Sequence, residues 1–226
     1  MRIGIIGGTF NPIHYGHLNS AVEIREMLGL EKVIFIPTFI PPHKNAKDVL
    51  GPQHRLKMTE LAVESNPGFS VSSIEIDRKG LSYSIETINE FKRIFSKEVE
   101  LFFIIGIDAF LEIHTWKDVK RLFQSCNFIV STRPDYRRDN LHEVILNLLR
   151  EKYNDIQFEL VRDDEISGCL KITISISKYA VFAARTTPLN ISSTDIRERI
   201  SEGRTVKYLL PEKVENYIMN NRLYNR

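Results

Sequence analysis

Apolar runs and stretches of helical periodicity alternate along the first two-thirds of the chain. IGII (3–6) reads as a buried strand, and Leu18, Ala21, Val22 and Leu28 then recur at roughly helical spacing. KVIFIP predicts the next strand, closed by Pro37, followed by a helix over 53–64, a strand FSVSSIEI over 69–76 and a helix over 84–95. VELFFIIG predicts a core strand, and a short helix at 119–123 and the strand NFIVST come after it. An uninterrupted apolar run such as LFFII fits a sheet covered on both faces, because a half-exposed strand would alternate. Strand, helix and strand repeated in this way predict an α/β fold, a doubly wound, Rossmann-like parallel sheet with helices on both faces.

The stretch 137–186 has a different texture. Asn140 and Glu143 have the spacing of a capping box, and Leu141, Val144, Ile145, Leu148 and Leu149 line one face of the helix behind it. IQFELV and CLKITISI predict strands, the second alternating at Leu170, Ile172, Ile174 and Ile176. Pro211 then starts a last helix through Met219, a small C-terminal helical part. No repeat, low-complexity tract or linker interrupts the chain. The expectation is a single domain over 1–226 with an elaborated segment at about 137–186.

Composition adds bounds. With 226 residues, 42% hydrophobic and 27% charged, the chain can bury a sizeable core and is not of disordered type. A formal charge of +2 gives no general call for nucleic acid or an anionic membrane, although local charge can still bind small anions. Cys126 and Cys169 are too few for a disulfide framework and form no CxxC pair, which suggests a reducing compartment. The apolar run after Met1 and Arg2 is too short for a signal peptide, and none approaches bilayer-spanning length. The expected location is the cytoplasm. The sequence leaves the oligomeric state open.

Local chemistry narrows the picture further. GIIGGTFNPIHYGH (4–17) puts two histidines three residues apart directly after a glycine-rich turn. A plain tight turn explains the glycines alone. A dinucleotide fingerprint would need GxGxxG, which is absent, and Pro12 interrupts an immediate helix. Zinc would need further Cys, His or acidic ligands of matching spacing. A phosphate site accounts for all of it. The glycines let backbone approach a phosphate chain, and His14 and His17 share a helical face beside a positive helix N-terminus. NISSTDIRERI offers a second such start, with Ser192, Ser193 and Thr194 at a helix N-terminus and Arg197 one turn on. Read alone, that stretch is also an ordinary N-cap.

These stretches resemble two signatures of the nucleotidylyltransferase superfamily. GGTFNPIHYGH is similar to its GxFxPxHxGH motif, and ISSTDIR to its ISSTxxR motif. The resemblance implies that His14 and His17 contact a triphosphate and stabilise the transition state. It implies further that Gly7, Gly8, Thr9, Phe10, Ser192, Ser193, Thr194 and Arg197 contact ATP. IPTFIPPHK, SYSIETI, GIDAF with TWKDVKRLF, STRPDY and the ending YLLPEKVENYI resemble nicotinate-nucleotide adenylyltransferases in particular. That likeness covers 1–136 and 188–224, nearly everything outside the elaboration. It implies a phosphate-neutralising Lys44, a nucleotide contact at Asp108, a mononucleotide phosphate site at Arg133 and ring stacking on Trp116. Tyr83 and Thr87, around a helix start, would receive the nicotinate carboxylate.

Three positions depart from the usual pattern, Asn11 for aspartate, Ser84 for threonine and Asp135 for glycine. None of them removes a phosphate ligand. The implied reaction joins ATP and nicotinate mononucleotide to give deamido-NAD and pyrophosphate, with Mg²⁺ on the ATP phosphates. Two alternatives stay open on sequence. One is another acceptor, such as nicotinamide mononucleotide or phosphopantetheine, the latter opposed by Trp116 and SYSIETI. The other is a nucleotide-binding regulator without catalysis.

Overall fold

The computed structural model describes residues 1–41, 49–96, 98–132, 140–161 and 168–225. Eight strands form one sheet: β1 Arg2–Gly8, β2 Lys32–Pro37, β3 Phe69–Val71, β4 Glu100–Gly106, β5 Asn127–Ser131, β6 Phe158–Val161, β7 Cys169–Ile174 and β8 Ala180–Ala184. Their spatial order is β3-β2-β1-β4-β5-β8-β7-β6. Every pair from β3 to β8 is parallel, and β7 and β6 extend the edge antiparallel. The order reverses direction between β1 and β4, and such a switch opens a crevice at the carboxyl ends of the two strands.

The helices are α1 Tyr15–Met27, α2 Pro52–Val63, α3 Ile74–Arg78, α4 Ser84–Ile94, α5 Ile107–Leu111, α6 Val119–Phe123, α7 Leu141–Lys152, α8 Ser193–Ser201 and α9 Glu212–Asn220. Strand side chains alternate between faces, and two buried clusters result. Ile5, Phe103, Ile105 and Phe128 pack with Ile88, Phe110, Phe123 and Ile145 of α4 to α7. Ile6, Phe35, Phe102 and Ile104 pack on the other face with Ala21, Met58, Ile196 and Ile218 of α1, α2, α8 and α9. Both faces are covered, as the unbroken apolar strands require.

The structure departs from the pattern in three places. The expected strand over 69–76 stops at Val71, and α3 begins at Ile74. Ser72 and Ser73 cause the break: the Ser72 hydroxyl accepts from the Ile74 N–H at 3.4 Å, and the Ser73 hydroxyl donates to Asp77 at 2.6 Å. Such side-chain bonds offer the backbone an alternative to a ladder. Asn140 precedes α7, but its side chain makes no capping hydrogen bond. In the segment 137–186, AVFAA is a sixth parallel strand, β8, buried along its whole length beside β5. Its alanines are poor strand formers, and only the position between β5 and β7 makes it one.

Phe128 anchors one cluster, with ring centroids of Phe123, Phe103 and Phe110 at 5.3, 5.8 and 6.4 Å. Phe128→Ala should lower the unfolding free energy by about 3–5 kcal/mol in chemical denaturation. A loss below about 1 kcal/mol would mean that the aromatic cluster closes over the gap.

Candidate active site

At the carboxyl ends of β1 and β4 lies a cavity of about 390 Å³. Its wall at one end is Gly7, Gly8, Thr9, Phe10, Gly16 and His17; at the other it is Tyr83, Ser84, Trp116 and Lys117, with Asp108 on the floor strand's continuation.

The first end is built by tight backbone packing. Phe10 has φ 47, a left-handed conformation that a bulky residue rarely adopts. Its ring is buried edge-on to His17 at 5.2 Å. A Cβ on Gly8 would stand 2.8 Å from that ring, and one on Gly16 would stand 3.0 Å from the His14 ring. A side chain at Gly8 would force the Phe10 ring to move, and one at Gly16 would press on the His14 ring. His14 precedes α1 in extended conformation, and its N–H donates to Nδ1 of His17 at 3.3 Å. With Nδ1 accepting, a neutral His17 carries its proton on Nε2. The two imidazoles lie in close, tilted contact, with centroids 3.8 Å apart and planes at 32°. His17 lines the cavity, whereas His14 is 2% exposed and lies behind it.

Two arginines hold this loop from its outer side. Arg55 of α2 is fully buried and donates to the carbonyls of Thr9 at 2.8 Å, Leu50 at 2.8 Å and Phe39 at 3.0 Å. Burial lowers its pKa to about 10, which still leaves it charged at neutral pH. Arg197 of α8 donates to the Asn11 carbonyl at 2.8 Å, and the Ser193 hydroxyl to the Pro12 carbonyl at 2.8 Å. Tyr224 donates to the Asn11 side chain at 2.8 Å, and the Tyr15 N–H to the Leu209 carbonyl at 3.0 Å. Ser192 caps α8 by accepting from the Asp195 N–H at 3.0 Å. Thr194 accepts from Arg197 at 3.4 Å. The ISST segment thus meets the glycine loop, and Ser192, Ser193, Thr194 and Arg197, expected to contact ATP, stand outside the cavity wall and bond to protein atoms.

The second end is aromatic and charged. Trp116 packs edge-on to Phe103 at 6.0 Å, and Lys117 lies 4.5 Å over the Tyr83 ring while pairing with Glu86 at 2.7 Å. That partner raises the Lys117 pKa. Asp108 sits in the first turn of α5, at the end of β4. Thr87 departs from its expected place. Helix α4 begins at Ser84, so the Thr87 N–H is already bonded to the Tyr83 carbonyl at 3.2 Å. Its hydroxyl donates to Glu75 at 2.6 Å beneath the wall. Ser84, not Thr87, brings the helix start to the cavity. Lys44 and Arg133 lie outside the described residues.

Sequence reading missed Arg55, Glu75 and Lys117. Lys117 follows Trp116 directly and could have been singled out with it. Arg55 carries no local signal, since two of its three acceptors, Thr9 and Phe39, lie 46 and 16 positions away, and Glu75 sits in a helix that the strand-like pattern FSVSSIEI concealed. Among the described residues no group of three or more His, Cys, Asp or Glu could hold a metal ion. Among them, too, no helix is long and apolar enough to cross a membrane.

Comparison with known proteins agrees with this geometry. The cytidylyltransferase-like family model matches residues 5–199. A "Probable nicotinate-nucleotide adenylyltransferase" of Thermoanaerobacter sp. (strain X514) is 45% identical over 226 residues, covering 100% of this chain and 95% of that protein. One of the same description from Moorella thermoacetica is 44% identical, covering 99% and 91%. Plasmodium falciparum nicotinic acid mononucleotide adenylyltransferase, solved in complex with NaAD, superposes with a TM-score of 0.71 over 99% of this chain and 97% of its own. At 17% identity that likeness speaks for the fold alone.

Arg55→Lys keeps the charge but cannot reach three carbonyls. Each buried carbonyl left without a donor costs about 1–3 kcal/mol. The variant should unfold at clearly lower denaturant concentration and require more ATP for half-maximal rate. Unchanged stability would show that the loop does not depend on the guanidinium.

Proposed function

The chain belongs to the nicotinate-nucleotide adenylyltransferases, within the cytidylyltransferase-like family, and from that premise we propose how its cavity joins the AMP part of ATP to nicotinate mononucleotide. The products are deamido-NAD and pyrophosphate, and the reaction is a step of NAD biosynthesis. One observation carries the reading of the site. A single cavity joins a glycine- and histidine-walled end, suited to a phosphate chain, to an aromatic end, suited to a planar ring.

In this account the triphosphate lies against Gly7, Gly8, Thr9 and Phe10, where missing side chains allow close backbone approach. His17 donates from Nε2 to the phosphates, and His14 acts with it as a tilted ring pair in contact before substrate arrives. The start of α8, with Ser192, Ser193, Thr194 and Arg197, supports the ATP side. Asp108 contacts the nucleotide. Trp116 stacks on the pyridine ring, with Tyr83 beside it, and Ser84 at the start of α4 takes over the carboxylate contact expected of Thr87. Lys44 neutralises phosphate charge and Arg133 holds the mononucleotide phosphate.

An oxygen of the mononucleotide's 5′-phosphate attacks the α-phosphorus of ATP in line. The bond to the oxygen bridging the α- and β-phosphorus breaks, and pyrophosphate leaves with that electron pair. Phosphate monoesters have a second pKa near about 6, so the nucleophile is ionised at neutral pH and no protein base is required. What remains for the protein is orientation and charge neutralisation. Nucleotidyltransferases of this kind generally use a divalent metal. We assign the ion, Mg²⁺, to the phosphate oxygens as part of the nucleotide substrate, since this ion keeps most of its waters and is usually held through substrate phosphates. We place the enzyme in the cytoplasm.

The test is pyrophosphate release from ATP and Mg²⁺ with nicotinate mononucleotide as acceptor. His17→Ala should lower kcat about a hundred- to a thousand-fold while weakening ATP binding far less, because its donor acts most strongly on transition-state charge. Near-normal turnover of the variant would contradict this role. No pyrophosphate release by the unmodified protein would contradict the reaction.

A further inference from the structure

The segment after α9 is carried back to the loop between β1 and α1. Helix α9 ends in a reverse turn: the Arg222 N–H donates to the Met219 carbonyl at 3.1 Å and the Leu223 N–H to the Ile218 carbonyl at 3.0 Å. That pair of bonds, with Arg222 left-handed at φ 51, is the Schellman arrangement, which satisfies the last carbonyls of a helix and turns the chain. Leu223 is then buried in the same cluster as Ile218 of α9 and Phe10 and Ile13 of the loop. Tyr224 follows, itself left-handed at φ 64, with its hydroxyl donating to the Asn11 side-chain oxygen at 2.8 Å. Left-handed residues other than glycine persist only where surrounding contacts over-determine them.

Asn11 is 4% exposed, and three parts of the fold meet on it. Its carbonyl accepts from Arg197 of α8 at 2.8 Å. Its Oδ1 accepts from the Tyr224 hydroxyl and, at 3.3 Å, from the Leu50 N–H just before α2. Leu50 in turn gives its carbonyl to Arg55, and both arginines lie close enough to act on the Tyr224 phenol. Burial pushes that phenol well above its ordinary range and outweighs the pull of Arg197 and Arg55, so the hydroxyl stays a donor at neutral pH. Tyr224 thus supplies what the two arginines do not, a neutral donor that fixes the Asn11 side chain just ahead of His14.

We propose that Tyr224 is a positioning residue for adenylyl transfer, its hydroxyl setting, through Asn11, the backbone that presents the His14–His17 pair to the phosphate end of the cavity. The proposal rests on the phosphate reading of that wall given above. A hydroxyl that only held α9 in place would contribute stability alone. One that sets the loop contributes to the rate as well, because transition-state donors act only when they are in place beforehand. A second hydroxyl nearby separates the two roles. Tyr217 of α9 and Nδ1 of His54 share a hydrogen bond at 2.9 Å, which ties α9 to α2 and not to the loop.

The experiment compares Tyr224→Phe with Tyr217→Phe, each losing one hydroxyl and keeping its ring. It measures unfolding temperature and the steady-state rate of pyrophosphate release with each substrate varied. Tyr224→Phe should lower kcat/KM for ATP about two- to ten-fold, the range of one hydrogen bond, and leave KM for nicotinate mononucleotide unchanged. Tyr217→Phe should keep both near their unmodified values even where its unfolding temperature falls as far. In an Asn11→Ala background Tyr224→Phe should have no further effect, since the acceptor is gone. Unchanged ATP efficiency in Tyr224→Phe, or an equal loss in Tyr217→Phe, overturns the proposal, and that comparison decides whether or not Asn11→Ala folds. A full further loss in the Asn11→Ala background overturns the route through Asn11. No pyrophosphate release by the unmodified protein would instead overturn the adenylyl-transfer reading on which the proposal stands.

Discussion

The outer face of the loop between β1 and α1 is held by donors, and the rest of the site depends on that. Thr9, Asn11 and Pro12 each give their carbonyl to Arg55, Arg197 or Ser193. With those acceptors satisfied by protein, the opposite side of the loop is left to the cavity. Left-handed Phe10 and the close packing of Gly8 and Gly16 are tolerable only in a backbone fixed from several directions. The cost of that conformation is met in the fold, before any nucleotide is bound, which is what electrostatic preorganisation requires.

The clamp also explains why the two family motifs lie so far apart in sequence. Arg197 reaches Asn11 across 186 positions, and Arg55 reaches Thr9 across 46. The sheet order makes this possible. β1 is central, α1 and α8 share one face, and the switch between β1 and β4 leaves room for a ligand between loop and aromatic end. The glycine–histidine wall and the aromatic wall then line one cavity.

What the sequence made legible was contiguous. The glycine–histidine stretch, the ISST helix start, Trp116 and the alternation of buried strands are local patterns with local physical meaning. Thr87 lies one turn inside the helix, which begins at Ser84 and uses the Thr87 N–H internally. The strand over 69–76 was cut short by two serines, and α3 turned Glu75 toward the cavity instead of leaving it in a ladder. β8 was hidden because alanines carry no strand signal of their own. Arg55 looks like any polar residue of a helix until the carbonyls of Thr9, Phe39 and Leu50 converge on it. For β8 and Arg55, partnership across the fold and not residue type decides the role.

If the clamp is one device, its two arginines must act through the same backbone and their effects cannot be independent. The direct measurement is a double-mutant cycle on kcat/KM for ATP with Arg55→Lys, Arg197→Lys and the double variant, each checked to be folded. The account predicts that the double variant loses clearly less than the sum of the two single losses, since either change already frees the loop. Additive losses would contradict it, showing two separate contributions in place of a shared hold on residues 9–12.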